Sequence, residues 1–179
     1  MILLAVKKSK AKEWFTIIAP KIFDEKEIGK TLTIEPNSLI GRTLSLSAIE
    51  LINDFSKYYL KFSFRISRVE GNKAYTELTG LECMRDYVSR MVVRRVRRID
   101  AVQDLTTRDN VKVRVKSLGI ISKRSKSSIE IEIRNFISQM IKSEVEGSTL
   151  EEFIGKLIAN DIKSKILGKG RRIYPIRNF

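Results

Sequence analysis

The sequence predicts an α+β protein: a mostly β region containing a hairpin, helices in the last third, and extended basic termini. Three observations carry that reading. Alternating apolar and polar residues mark much of the first two thirds, helix-spaced apolar residues fill the last third, and Lys/Arg runs sit near both ends. A chain of 179 residues can form one compact domain that buries roughly 70% of its unfolded surface. Its 42% hydrophobic content is ordinary for a globular protein. Residues 1–179 are therefore read as a single domain. It comprises a basic arm over 1–12, a mostly β core over 13–121 with a basic helix near 86–99, a helical pair over 127–167 and a basic tail over 168–179.

The arm KKSKAK supplies Lys7, Lys8, Lys10 and Lys12. Trp14 to Ala19 follows, rich in aromatic and β-branched residues and ending before Pro20, which disfavours helix at the preceding position. Leu44, Leu46 and Ala48 alternate with Ser45 and Ser47, as in a half-buried strand. Leu60 to Val69 places Leu60, Phe62, Phe64 and Ile66 on one face and Lys61, Ser63, Arg65 and Ser67 on the other. Gly71-Asn72 tolerates positive φ at both positions, so Ala74 to Thr79 should return as the second strand of a hairpin.

The stretch DYVSRMVVRRVRRIDAV is read as a helix. Val88, Val92, Val96 and Ile99 recur at three and four residues and make one apolar stripe. Arg90, Arg94, Arg97 and Arg98 then fall away from it, presenting guanidinium forks suited to bidentate phosphate contact. Arg95 lies on the stripe itself and should snorkel or end the helix's buried stretch. Thr106 to Asn110 reads as a turn containing Arg108. Val111, Val113 and Val115 alternate with Lys112, Arg114 and Lys116, a strand whose outer face carries three cations. SKRSKSS, with Lys123, Arg124 and Lys126, reads as a basic loop.

Ile133, Phe136, Ile137, Met140 and Ile141 have helix spacing, and Gly147 should end that helix. Ser148 with Glu151 has the form of a capping box. It would open a second helix bearing Leu150, Phe153, Ile154, Leu157, Ile158 and Ile162, closed by Gly168 and Gly170. Arg171 and Arg172 then begin an extended basic tail.

Charge decides among function classes. Thirty-five Lys and Arg against 21 Asp and Glu leave +14, and such a surface repels itself unless a polyanion neutralises it. The absence of histidine removes Ser-His and Cys-His nucleophile pairs and His-ligated metals. The single Cys83 permits no intrachain disulfide and is expected to be a buried thiol. The opening MILLAVKKSK has an apolar run too short to span a membrane, with its charges after the run, so no export signal is read. Gly29-Lys30-Thr31 imitates the end of a phosphate-binding loop, but Asp24 stands where that motif needs glycine. No catalytic constellation, cofactor site or small-molecule site is read. The basic elements suit a non-catalytic protein embedded in folded RNA. An RNA-processing or RNA-modifying factor is the alternative, and a peripheral membrane protein would need an amphipathic helix with Trp or Phe beside lysines.

The order of several short motifs resembles the archaeal and eukaryotic small-subunit ribosomal proteins of the S3Ae type. They are Trp14 with Ala19-Pro20 and Phe23, Ile28-Gly29-Lys30-Thr31, Gly41-Arg42, Arg85-Asp86, Ile99-Asp100, Thr106-Thr107-Arg108-Asp109, Lys123-Arg124 and Ile173-Tyr174-Pro175-Ile176-Arg177. The resemblance implies an α+β fold with an antiparallel, barrel-like β core and flanking helices, and small-subunit rRNA as partner in the cytoplasmic ribosome. It also implies neighbouring proteins of the subunit platform, near the messenger exit. Asn110 stands where the family usually has glycine, and relatives usually continue beyond the position of Phe179 with a short basic tail.

Overall fold

A computed structural model describes residues 11–121 and 125–179. The chain forms two compact units, the first ending at Met84 and the second running Arg85–Phe179.

The first unit holds strands β1 (Glu13–Ile18), β2 (Glu27–Thr33), β3 (Thr43–Ser47), β4 (Leu60–Glu70) and β5 (Lys73–Cys83), with one short helix, α1 (Ala48–Ile52). Their order is β2-β1-β5-β4-β3. The expected antiparallel barrel is not what forms. β1 joins β5 in parallel, and the edge strands β2 and β3 do not pair with each other, so the sheet stays open. Between those two strands in sequence, a 3-10 turn, Pro36–Leu39, sends Leu39 into the core with Phe15, Ile17, Ile66 and Ala74.

The hairpin of β4 and β5 forms as its alternation requires. Phe62, Phe64 and Ile66 are buried while Lys61 and Arg65 are exposed, and Phe23 sets its ring edge-on to both phenylalanines, at 5.0 and 5.8 Å. Glu70 faces Lys73 across the Gly71-Asn72 turn, where Gly71 takes φ +56. Leu44 and Leu46 lie on β3, but Ala48 opens α1 instead of continuing the strand. Cys83 is exposed, contrary to expectation, because β5 runs to the end of the ladder, where Cys83 faces Leu60, the first residue of β4. Gly29-Lys30-Thr31 lies within β2, antiparallel to Phe15–Ile17 of β1, so it has no strand-to-helix turn in which to hold phosphate.

The second unit contains helix α2 (Arg85–Met91), strands β6 (Arg97–Thr106) and β7 (Lys112–Ile121), helices α3 (Ser127–Glu146), α4 (Leu150–Ile158) and α5 (Asp161–Gly170), and strand β8 (Ile176–Asn178). β6, β7 and β8 form an antiparallel sheet. Ile133, Ile137, Ile141 and Val145 make the buried stripe of α3, in one core with Ile99, Ala101, Ile121, Phe153, Ile162, Ile166 and Ile176. Each Ile, Val or Phe side chain among these stabilises the fold by roughly 1.5–3 kcal/mol relative to exposure.

Four expectations need correction here. The arginine helix stops at Met91, and Arg97 and Arg98 begin β6. β-Branched valines disfavour helix at 92–96, and the period changes to two, with Ile99 and Ala101 buried and Leu105 partly buried. The expected second helix is two helices, because Asn160 adopts a left-handed φ of +63 between α4 and α5. The capping box is Thr149 with Glu152, whereas the buried Ser148 donates to the Glu144 carbonyl at 2.7 Å. The tail does not leave the fold: Ile176 is buried and pairs with Ile121, and a Cβ on Gly170 would stand 2.5 Å from its Cδ1. Of the basic loop, Ser127 and Ser128 already belong to α3, while residues 122–124 and the arm residues 1–10 lie outside the described residues.

Glu144 ties the three helices together. It accepts from Lys165 of α5 at 2.6 Å and from Lys156 of α4 at 3.4 Å. The hydrogen bond from Lys165, then that from Lys156, holds its carboxyl below the ordinary glutamate value against the opposing effect of burial. A depressed carboxylate contributes stability that is complete above the unfolded pKa and lost as pH falls through the lower folded value. Glu144→Gln should therefore destabilise the protein by about 1 kcal/mol at neutral pH. Thermal melts should show that deficit shrinking as pH falls below the unfolded glutamate value of about 4.3, and vanishing only once the pH is below the lower folded value.

Candidate nucleic-acid interface

The two units differ sharply in charge. Of the 35 Lys and Arg, 22 lie at or after Arg85, against 11 of the 21 Asp and Glu, so the second unit holds +11 of the net +14. No acid follows Asp161, while six cations do.

Six of the expected contact residues, Arg97, Arg98, Arg108, Lys112, Arg114 and Lys116, lie on the hairpin of β6 and β7 and its loop. Val113 and Val115 turn inward to the core, so the strand period sends Lys112, Arg114 and Lys116 outward. Opposite them on β6 stand Thr106, Asp104 and Val102, and further along the same face Arg98 pairs with Ile120. Ten residues of strand extend about 33 Å. The open end carries Arg97 and Arg98, preceded by Arg94 and Arg95 in a turn, and Arg177 of β8 lies beside it. Arg108 sits in the loop at the other end. The result is an extended row of cations.

Register decides which of these cations are available. Arg114 donates to both carboxylate oxygens of Asp104, at 2.6 and 2.8 Å. These bonds hold the Asp104 carboxyl below its usual range and push the guanidinium up. Arg98 donates to Asp100 at 2.8 Å, and Arg97 lies 3.4 Å from Glu130 of α3. Among the described residues, no such carboxylate partner is found for Lys12, Arg90, Arg94, Arg95, Arg108, Lys112, Lys116, Lys126, Arg171 or Arg172, all exposed. Lys7, Lys8, Lys10, Lys123 and Arg124 fall outside the described residues, and Lys12 lies in the first unit, just before β1. Exposed cations that sequence reasoning passed over include Lys169 and Arg177, whose signal was the acid-free stretch after Asp161.

Two backbone contacts fix the loop that carries Arg108. The Arg108 amide donates to the Ser148 carbonyl at 3.1 Å, and Asp109 accepts from the Leu150 amide at the start of α4, also at 3.1 Å. Asn110 supplies the left-handed residue, φ +59, which Asn tolerates better than most side chains. Arg108 is thus held at the tip by its own amide and by the carboxylate of the adjoining Asp109.

Residues 5–179 match the model of the Ribosomal S3Ae family. The chain belongs to this family. It is 38% identical over 174 residues to the small ribosomal subunit protein eS1 of Methanopyrus kandleri, covering 95% of this chain and 82% of that protein. It is 34% identical over 170 residues to that of Sulfurisphaera tokodaii, covering 95% and 88%. The relatives' names describe constituents of a ribosomal subunit, in keeping with a non-enzymatic S3Ae protein. Among the described residues no group of three or more His, Cys, Asp or Glu could hold a metal ion. No helix among them is long and apolar enough to cross a membrane.

The Asp104–Arg114 pair yields a test. Asp104→Asn removes a negative charge and releases a guanidinium, so affinity for an RNA polyanion should rise several-fold. The dependence of log affinity on log salt should steepen by about 0.7–0.9. Binding measured across a salt series reads both.

Proposed function

We propose that this chain is a structural constituent of the cytoplasmic small ribosomal subunit and binds small-subunit rRNA through distributed Lys and Arg contacts to phosphate. Neighbouring subunit proteins of the platform are the other partners, and no cofactor or small molecule takes part. The observation that carries the reading is the second unit's +11, displayed largely on cations without carboxylate partners. A polyanion neutralises such a surface, and phosphate contacts position a protein without reading sequence. The relatives' assembly with the small subunit supports the same conclusion. The extended row suits a partner with its own length and shape, as folded RNA has. The RNA-processing alternative requires a catalytic acid-base pair or a cofactor loop, and no specific observation favours it.

Salt titration tests the proposal. Contact with six to eight phosphates predicts a slope of log affinity against log salt of about −4 to −7 for a small-subunit rRNA fragment. The protein should also travel with small subunits in a sedimentation gradient at moderate salt. An affinity that barely responds to salt would sink the electrostatic reading.

A further inference from the structure

The turn between α2 and β6 holds an arginine in a conformation that suits glycine. Val96 donates back to the Val93 carbonyl at 3.4 Å, closing a four-residue turn with Arg94 and Arg95 at its centre. Arg95 takes φ +69 while Arg94 does not share the left-handed region, the pattern of a type II turn. Glycine or asparagine ordinarily fills that third position, because a Cβ there crowds the following carbonyl. Among the described residues, six non-glycine residues have positive φ; four are Asn or Asp, and Arg95 is the only cation among them. Backbone strain of this kind collects where a side chain is needed for function.

The surroundings say what the side chain serves. Arg97 and Arg98, two and three residues on, lie against Glu130 and Asp100. Arg94 and Arg95 have no carboxylate partner among the described residues and are exposed beside Val92 and Val93, which are 37% and 50% accessible. Two adjacent unneutralised guanidiniums on a hydrogen-bonded turn are pre-organised, and the planar fork of each matches the oxygens of a phosphate.

We propose that the Val93–Val96 turn is a phosphate clamp. Arg95 occupies the left-handed position so that its guanidinium grips one phosphate of the RNA backbone, with Arg94 on its neighbour. This rests on the rRNA-binding reading and deepens it.

Arg95→Asn and Arg95→Gly test it, since both residues accept the turn's backbone. Each variant should melt at the wild-type temperature or up to about 3 °C higher, as relief of strain predicts. Each should bind a small-subunit rRNA fragment roughly tenfold more weakly at about 0.1 M salt, with a slope flatter by about 0.7–0.9. Arg95→Lys keeps the charge without the fork, so it should recover only part of the affinity. If wild type shows a steep salt response and the Asn variant binds equally well, the clamp is wrong while the RNA reading stands. A flat wild-type response removes the RNA reading itself. A lower melting temperature with unchanged affinity assigns Arg95 to packing within the protein and overturns the clamp. Unchanged binding to naked RNA with weaker incorporation into subunits assigns it to an acidic protein neighbour, which also overturns it.

Discussion

Ile133, Ile137, Ile141 and Val145 recur every four residues along α3, and their burial with Ile99, Ala101 and Ile121 turns one face of β6 and β7 inward. Because side chains alternate along a strand, that single contact sends Arg98, Lys112, Arg114 and Lys116 to the other face. An unpaired charge could not share the inner face without a large desolvation cost. Phe153 of α4, Ile162 and Ile166 of α5 and Ile176 of β8 complete the same core. The display of positive charge is thus a consequence of how the apolar residues pack.

Acids temper that display selectively. Asp100, Asp104 and Glu130 each meet an arginine of the sheet, and Glu144 absorbs Lys156 and Lys165 between helices. Lys112 and Lys116, on either side of Arg114, have no such neighbour among the described residues. A paired guanidinium is oriented but electrically offset, whereas an unpaired lysine exerts its full charge on an approaching polyanion. The hairpin therefore alternates held and free cations along one strand.

Much of the fold was legible where one period ran undisturbed. β4, β7 and α3 declared themselves through alternation or four-residue recurrence, and their faces point as those patterns require, except that Val111 precedes β7 and is exposed instead of facing the core. The region 86–99 was ambiguous because two periods overlap. Val88, Val92, Val96 and Ile99 satisfy a helix, while Ile99, Ala101 and Leu105 satisfy a strand, and pairing with β7 decides for the strand. The α4–α5 break rested on one asparagine, and the fate of the tail on Ile176 finding room beside Gly170. For the interface, composition revealed the cations, but not which were neutralised. Asp104 and Arg114 are ten residues apart and meet only through the register of the hairpin.

Asp109 follows Arg108 in sequence, and a simple count cancels the two charges. Its carboxylate, however, accepts the first backbone amide of α4, where the helix presents partial positive charge. The acid is spent on the helix, so the loop's outward electric field is more positive than its residue letters suggest. Equal numbers of acids and bases in a segment can thus leave a directional dipole, with its negative pole facing the protein and its positive pole facing outward.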